Sequence, residues 1–186
     1  MFSIIILTGI LLISVVNNMT SNLGGLYCFL TTIILTIAVV IVDGVFAFVI
    51  RRLPNKWFDE KVKMHYASRK ELKFYEKLGV RTWKDKVPEL GGFTSFHKDK
   101  IRDGDNPEYL KRFILECNYG AMIHLVTAIL GFLIVFITPL NIWYRFALPV
   151  GLFNFFLNLM PYAILRYNVP RLKSLLKLAI RKSNKS

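Results

Sequence analysis

The sequence predicts an all-α membrane protein with about four transmembrane helices, a helical interfacial cytoplasmic loop and a basic amphipathic C-terminal tail. Three observations predict it. Hydrophobic residues make up 54% of the 186 and charged residues 20%, yet the two do not mix. Apolar residues form long runs and charges fill the intervals, the pattern of a chain that lives in a bilayer. The formal net charge of +13 is just as localised: residues 51–118 carry 17 Lys/Arg against 11 Asp/Glu, and residues 166–186 carry seven Lys/Arg and no acid. Asp43 and Arg145 are the only other charges. Basic segments that flank apolar spans meet anionic headgroups, so membrane lipids and not nucleic acid are the expected partners. The positive-inside rule then puts loop 51–116 and both termini in the cytoplasm of a multi-pass cell-membrane protein, with residues 1–186 forming a single membrane domain.

Phe2 to Val16 is apolar and uncharged, about 15 residues against the ~20 of a usual span. No Lys or Arg precedes it and no small-x-small pattern follows, so it reads as a short first span (2–16) rather than a signal core. Asn17 to Gly25 reads as an external turn. The second span is 26–50; Asp43 near its inner end reads as a functional candidate or as a partner for Arg51, Arg52 or another cation. Pro54 ends that helix.

Residues 51–116 form the interfacial segment. Helical stretches near 57–66 and 69–78 carry the stripes Phe58, Val62, Tyr66 and Leu72, Tyr75, Leu78. Pro88, Gly91, Gly92, Gly104 and Pro107 make the part after Trp83 loop-like. Asp105-Asn106-Pro107-Glu108 reads as a helix start. That helix is expected to run unbroken to about Ile137, with 117–138 in the membrane. The fourth span is 142–165, with Pro149 and Pro161 as kinks. In the tail, 166–186, Leu172, Leu175, Leu176 and Ile180 share one side.

Cys28 and Cys117 lack metal-type spacing and read as small packing residues, and no metal site is expected. The chemistry gathers on the third span. Taking 100° and 1.5 Å per residue, Glu116, Gly120, His124, Thr127 and Gly131 fall within about 80° of one another, with His124 ~12 Å beyond Glu116. Asn154, Asn158 and Pro161 form a matching seam on the fourth span, with Tyr162 beside them. Gly, Thr and Asn on such helices often only mediate packing. A His with a Glu at the membrane edge points instead to hydroxyl activation, in which imidazole takes a proton and a carboxylate orients the ring or stabilises its cation. At that separation Glu116 is equally open to binding a substrate hydroxyl or a basic residue.

Four segments in order give the chain a resemblance to a known family: Leu53-Pro54-Asn55-Lys56-Trp57-Phe58; Trp83-Lys84-Asp85-Lys86 with Pro88-Glu89, Gly91 and Gly92; the Glu116-to-His124 spacing; and Asn158-Leu159-Met160-Pro161 followed by Arg166-Tyr167-Asn168, Pro170, Arg171 and Leu172. Over roughly 51–175 the chain resembles the glycosyl-4,4'-diaponeurosporenoate acyltransferase family, and the last segment is the most specific. Ala121, Leu165 and Val169 depart from its pattern, standing where Glu, Gln and Arg are expected.

The resemblance implies transfer of a fatty acyl group to a hydroxyl of a membrane glycolipid, a glycosyl carotenoid or something similar. It implies a cytoplasmic thioester donor, acyl-CoA or acyl carrier protein, and no bound cofactor. His124 and Glu116 are then the catalytic candidates. Asn158, Arg166, Tyr167, Asn168, Arg171, Trp83, Lys84 and Lys86 are the substrate-binding ones, with Lys84, Lys86, Arg166 and Arg171 facing the donor's phosphates. Two other classes compete: a non-catalytic scaffold or lipid-binding subunit, and a small transporter with Asp43, Glu116 and His124 as a proton path, which four spans without an internal repeat disfavour.

Overall fold

The computed structural model describes residues 2–84, 87 and 101–184, with side chains from residue 4 onward. Every regular element among them is helical. Phe2–Thr20 (α1) and Gly25–Arg51 (α2) are followed by 3₁₀ turns at Asn55–Trp57 and Lys63–His65, then by the short helices Arg69–Lys77 (α3) and Val80–Trp83 (α4). Pro107–Leu130 (α5), Leu133–Ile137 (α6) and Leu140–Ile142 (α7) lead through a π-helical turn, Trp143–Ala147, into Leu148–Ser183 (α8). Three stretches are long and apolar enough to cross a membrane: Gly25–Arg51, Pro107–Ile137 and Leu140–Ser183. Ile4–Thr20 is a shorter apolar helix. This is the architecture of an all-α membrane protein.

The first helix outlasts its apolar run because its polar residues satisfy themselves. Ser14, Asn17 and Thr20 each donate to the carbonyl four residues back, at 2.6–2.8 Å, the route by which such side chains sit within apolar helices. A helix start at Asn106 was legible: its Oδ1 accepts from the backbone N–H groups of Glu108 and Tyr109, at 3.0 and 3.2 Å. So was α3, where Ser68 and Glu71 form a capping box.

Three expectations change. No continuous helix spans 57–66; the two 3₁₀ turns take its place, and the proposed stripe divides, with Phe58 buried and Tyr66 exposed. Local competition contributes, since Asp59 Oδ1 captures the Lys61 N–H at 2.7 Å. The helix from Pro107 is interrupted at Gly131–Phe132, where Phe132 N bonds the Ile129 carbonyl three residues back. The apolar stripe of the tail is not left bare. The tail prolongs α8, and Leu172 and Leu176 are buried in a core with α5, while Ile180 stays exposed.

The chain forms two compact units. One comprises residues 1–49 and 125–159. Its core is Cys28, Leu35 and Val39 of α2 with Ile134, Phe146, Ala147 and Val150, and much of the outward surface of α1 and α2 is aliphatic. Close approach here requires Gly131, because a Cβ would overlap the Asn154 side-chain amide and come within 3.2 Å of the Thr127 carbonyl. Gly131→Ala is expected to cost ~1–3 kcal/mol, read as a lowered unfolding temperature of the detergent-solubilised protein.

The second unit comprises residues 50–124 and 160–186. Its main core packs Leu110, Phe113, Ile114, Cys117 and Ala121 of α5 against Leu165, Val169, Leu172, Leu176 and Ala179 of α8. Ala121, Leu165 and Val169 all lie in this core, so the three departures from the family pattern are packing residues in one place.

Candidate functional site

In the second unit a buried ionic cluster is built around Glu116. Its side chain is 3% exposed, and burial of a carboxylate is tolerable only if it is paired. Two guanidiniums pair it. Arg51 NH1, at the end of α2, lies 2.6 Å from Oε2, and Arg112 NH2, one turn earlier on α5, lies 2.8 Å from Oε1. The Arg51 contact is an ion pair without a well-aimed N–H on Oε2. The neighbouring residues tie α5 to the chain that follows α2. Asn118 Nδ2 donates to the Phe58 carbonyl at 2.7 Å. The Tyr119 hydroxyl donates to the Leu53 carbonyl at 2.6 Å and lies 3.0 Å from Asn55 Oδ1. The Tyr119 ring stacks on Phe58 at 3.9 Å and holds the Arg51 guanidinium 5.2 Å from its centroid. Of the roles open to Glu116 in the sequence, the one visible here is binding basic residues.

Arg166 is placed by α8 against α3. Its Nε and NH2 fork onto Glu71 Oε1 and Oε2 at 2.8 and 2.7 Å, and NH1 and NH2 also donate to the Met64 and Tyr66 carbonyls at 3.1 and 3.2 Å. The Tyr75 hydroxyl donates to Glu71 at 2.8 Å. Burial pushes the Glu71 carboxyl up, but hydrogen bonds from Arg166 and Tyr75 outweigh it and hold the group below its ordinary 4.5. A carboxylate depressed in the fold stabilises the protein above its unfolded pKa and loses that contribution as pH falls through the folded value. Thermal stability is therefore expected to drop on acidification below about pH 4.5, and the Glu71→Gln variant to show a flatter profile over that window.

One histidine with a structural role escaped the sequence reading. His65 is buried, its Nε2 donates to the Trp57 carbonyl at 2.9 Å, and its ring stacks on Phe58 at 5.5 Å. Burial keeps it below the ordinary imidazole pKa. No local pattern in the sequence marks this residue.

In the first unit the two predicted asparagines do come together, and with Asp43. Asn158 Nδ2 donates to Asp43 Oδ2 at 3.1 Å and lies 3.0 Å from Asn154 Oδ1; Asn154 Nδ2 is 3.4 Å from Asp43 Oδ1. Thr127 Oγ1 donates to Asn158 Oδ1 at 3.0 Å. The partners shown for Asp43 are these amides, and Arg51 pairs elsewhere. The four residues satisfy one another inside a largely apolar unit, as buried polar groups must.

The other sequence candidates are placed as follows. His124 lies on α5, half-buried. Trp83 and Tyr167 border the same small core of Tyr75, Val80 and Ala163, and the Trp83 indole donates to the Leu78 carbonyl at 3.0 Å. Lys84 and Asn168 are half-buried and Arg171 is exposed. Lys86, with Pro88, Glu89, Gly91 and Gly92, lies outside the described residues. Among the described residues no cluster of His, Cys, Asp or Glu has a metal-binding arrangement.

A chain whose regular elements among the described residues are all helical, with three long apolar helices and a shorter one, is an all-α membrane protein, and it pairs several ionisable groups within its helical packing. The family model described as glycosyl-4,4'-diaponeurosporenoate acyltransferase matches residues 54–178, two thirds of the sequence, and the chain belongs to that family. The family name indicates a membrane acyltransferase acting on a glycosyl carotenoid. No curated protein and no solved structure matches the chain.

Proposed function

We propose that the protein is an integral membrane O-acyltransferase. It moves a fatty acyl group from a cytoplasmic thioester, acyl-CoA or acyl carrier protein, to a sugar hydroxyl of a membrane glycolipid of the glycosyl-carotenoid kind. The family match over 54–178 carries this reading. His124 is the general base. Its neutral imidazole takes the hydroxyl proton as the oxygen attacks the thioester carbonyl, and the imidazolium returns that proton to the departing thiolate. Direct transfer is favoured over an acyl-enzyme because both thiols are buried, Cys28 at 0% and Cys117 at 2% exposure, where a substrate carbonyl cannot reach them. Glu116 acts through Arg51 and Arg112. Asn158, Tyr167, Asn168, Arg171, Trp83, Lys84 and Lys86 bind substrate on the strength of the family segments that contain them. Arg166 positions the loop through Glu71. The loop and tail face the cytoplasm, where their basic surface draws in an acidic donor.

A non-catalytic scaffold is the second reading, favoured by the self-satisfied network of Asp43, Asn154 and Asn158. Mass spectrometry of lipid extracts from cells with and without the gene separates the two. The enzyme reading expects a sugar lipid heavier by one fatty-acyl residue when the gene is present. Identical lipid profiles would contradict it.

A further inference from the structure

We propose that Arg51 and Arg112, gripped by Glu116, form the binding site for the phosphate of a phosphopantetheine arm. That phosphate is common to acyl-CoA and to the prosthetic group of acyl carrier protein, and the proposal rests on the thioester-donor reading above.

Charge and burial point outward from Glu116. Two cations share one anion, so the triad keeps a net single positive charge. The carboxylate is 3% exposed, whereas the arginine side chains are 30% and 54% exposed. The buried member is the anion and the accessible members are the cations, the arrangement an incoming anion requires. Each guanidinium carries five N–H groups in a planar fork, and the contacts with Glu116 involve one terminal nitrogen of each. The fork geometry suits bidentate contact with phosphate. The pair is also pre-organised. Arg51 lies over the Tyr119 ring at 5.2 Å, and Tyr119 is fixed by the Leu53 carbonyl. Arg166, one of the four cations that the family resemblance assigned to this task with Lys84, Lys86 and Arg171, has its fork spent on Glu71 and two carbonyls.

Length supplies an independent argument. Arg112 and His124 lie on the same helix, α5, and twelve residues at 1.5 Å set them ~18 Å apart along its axis. The path from phosphorus to sulfur in phosphopantetheine contains 13 bonds, about 16–17 Å when extended at ordinary covalent dimensions. Glu116 and His124 are about 80° apart around the helix. A phosphate held at the arginines therefore leaves the thioester within reach of the proposed base.

The test titrates the full-length protein in lipid nanodiscs with 4'-phosphopantetheine and with pantetheine, which lacks the phosphate. The phosphorylated probe is expected to bind at least about tenfold more tightly. Stripping one arginine could damage the fold by leaving Glu116 under-paired, so the deciding variant is Arg112→Gln combined with Glu116→Gln, which removes both charges together. It should lose most of the phosphate advantage. Glu116→Gln alone keeps both cations and should retain it, a contrast that a purely structural triad would not give. Equal binding of the two probes to the wild type, or an undiminished advantage in the double variant, overturns the proposal. Coenzyme A binding more tightly than holo-acyl carrier protein supports the site and names the soluble donor; the reverse supports it and names the carrier. Acyl transfer measured on the same samples separates the two readings. Phosphate-dependent binding without transfer upholds the arginine site and contradicts the reaction. Transfer with undiminished phosphate discrimination in the double variant upholds the reaction and contradicts the site.

Discussion

Replacing His124 with alanine is expected to lower acyl transfer about 10²–10⁴-fold, the usual worth of a positioned general base, while the protein still solubilises and unfolds like the parent. A sugar hydroxyl is a weak nucleophile at neutral pH, and its attack on a thioester needs the proton removed as the bond forms. The control is His65→Ala. His65 is buried between the Trp57 carbonyl and Phe58, so its loss should lower thermal stability without a comparable loss of turnover per folded molecule. If His124→Ala transfers acyl groups at the parental rate, the base assignment is wrong.

The second large effect is on stability. Removing Arg51 and Arg112 together strands a carboxylate that is only 3% exposed. Breaking a buried pair in this way costs ~3–5 kcal/mol, because the surviving charge has lost its solvation and its partners. The Arg51→Ala/Arg112→Ala protein should unfold at a markedly lower temperature in detergent, and adding Glu116→Gln should recover much of the loss by removing the stranded charge. A double variant as stable as the parent would mean that the triad contributes nothing to the fold.

What the sequence revealed and what it hid follow from the range of the interactions. The helix start at Asn106 was readable because a cap depends on residues two or three apart, and the helix near 69–78 because Leu72, Tyr75 and Leu78 repeat at three-residue steps within it. The seam of Asn154 and Asn158 was readable because helical periodicity alone puts them on one face. That Asp43 would join them was not, since its partners lie 111 and 115 residues away in the chain. For the same reason nothing local marks Arg51 as the partner of Glu116, or Glu71 as the partner of Arg166. The region around Phe58 misled because its three- and four-residue spacing is apparent only as a pattern; the backbone instead takes two 3₁₀ turns whose carbonyls at Trp57 and Phe58 receive His65 and Asn118. The tail's apolar stripe was read correctly as a stripe. Its partner was not, because a membrane surface and a neighbouring helix make the same demand on Leu172 and Leu176.

The central claim is acyl transfer from a thioester to a membrane glycolipid. The most direct measurement reconstitutes the purified protein in vesicles that contain a glycosyl carotenoid and supplies a thioester donor carrying an isotopically labelled acyl chain. The account predicts label on the glycolipid as an alkali-labile ester, formed in proportion to protein and nearly absent with His124→Ala. Label that remains on the donor, or reaches the lipid equally with vesicles alone, would contradict it.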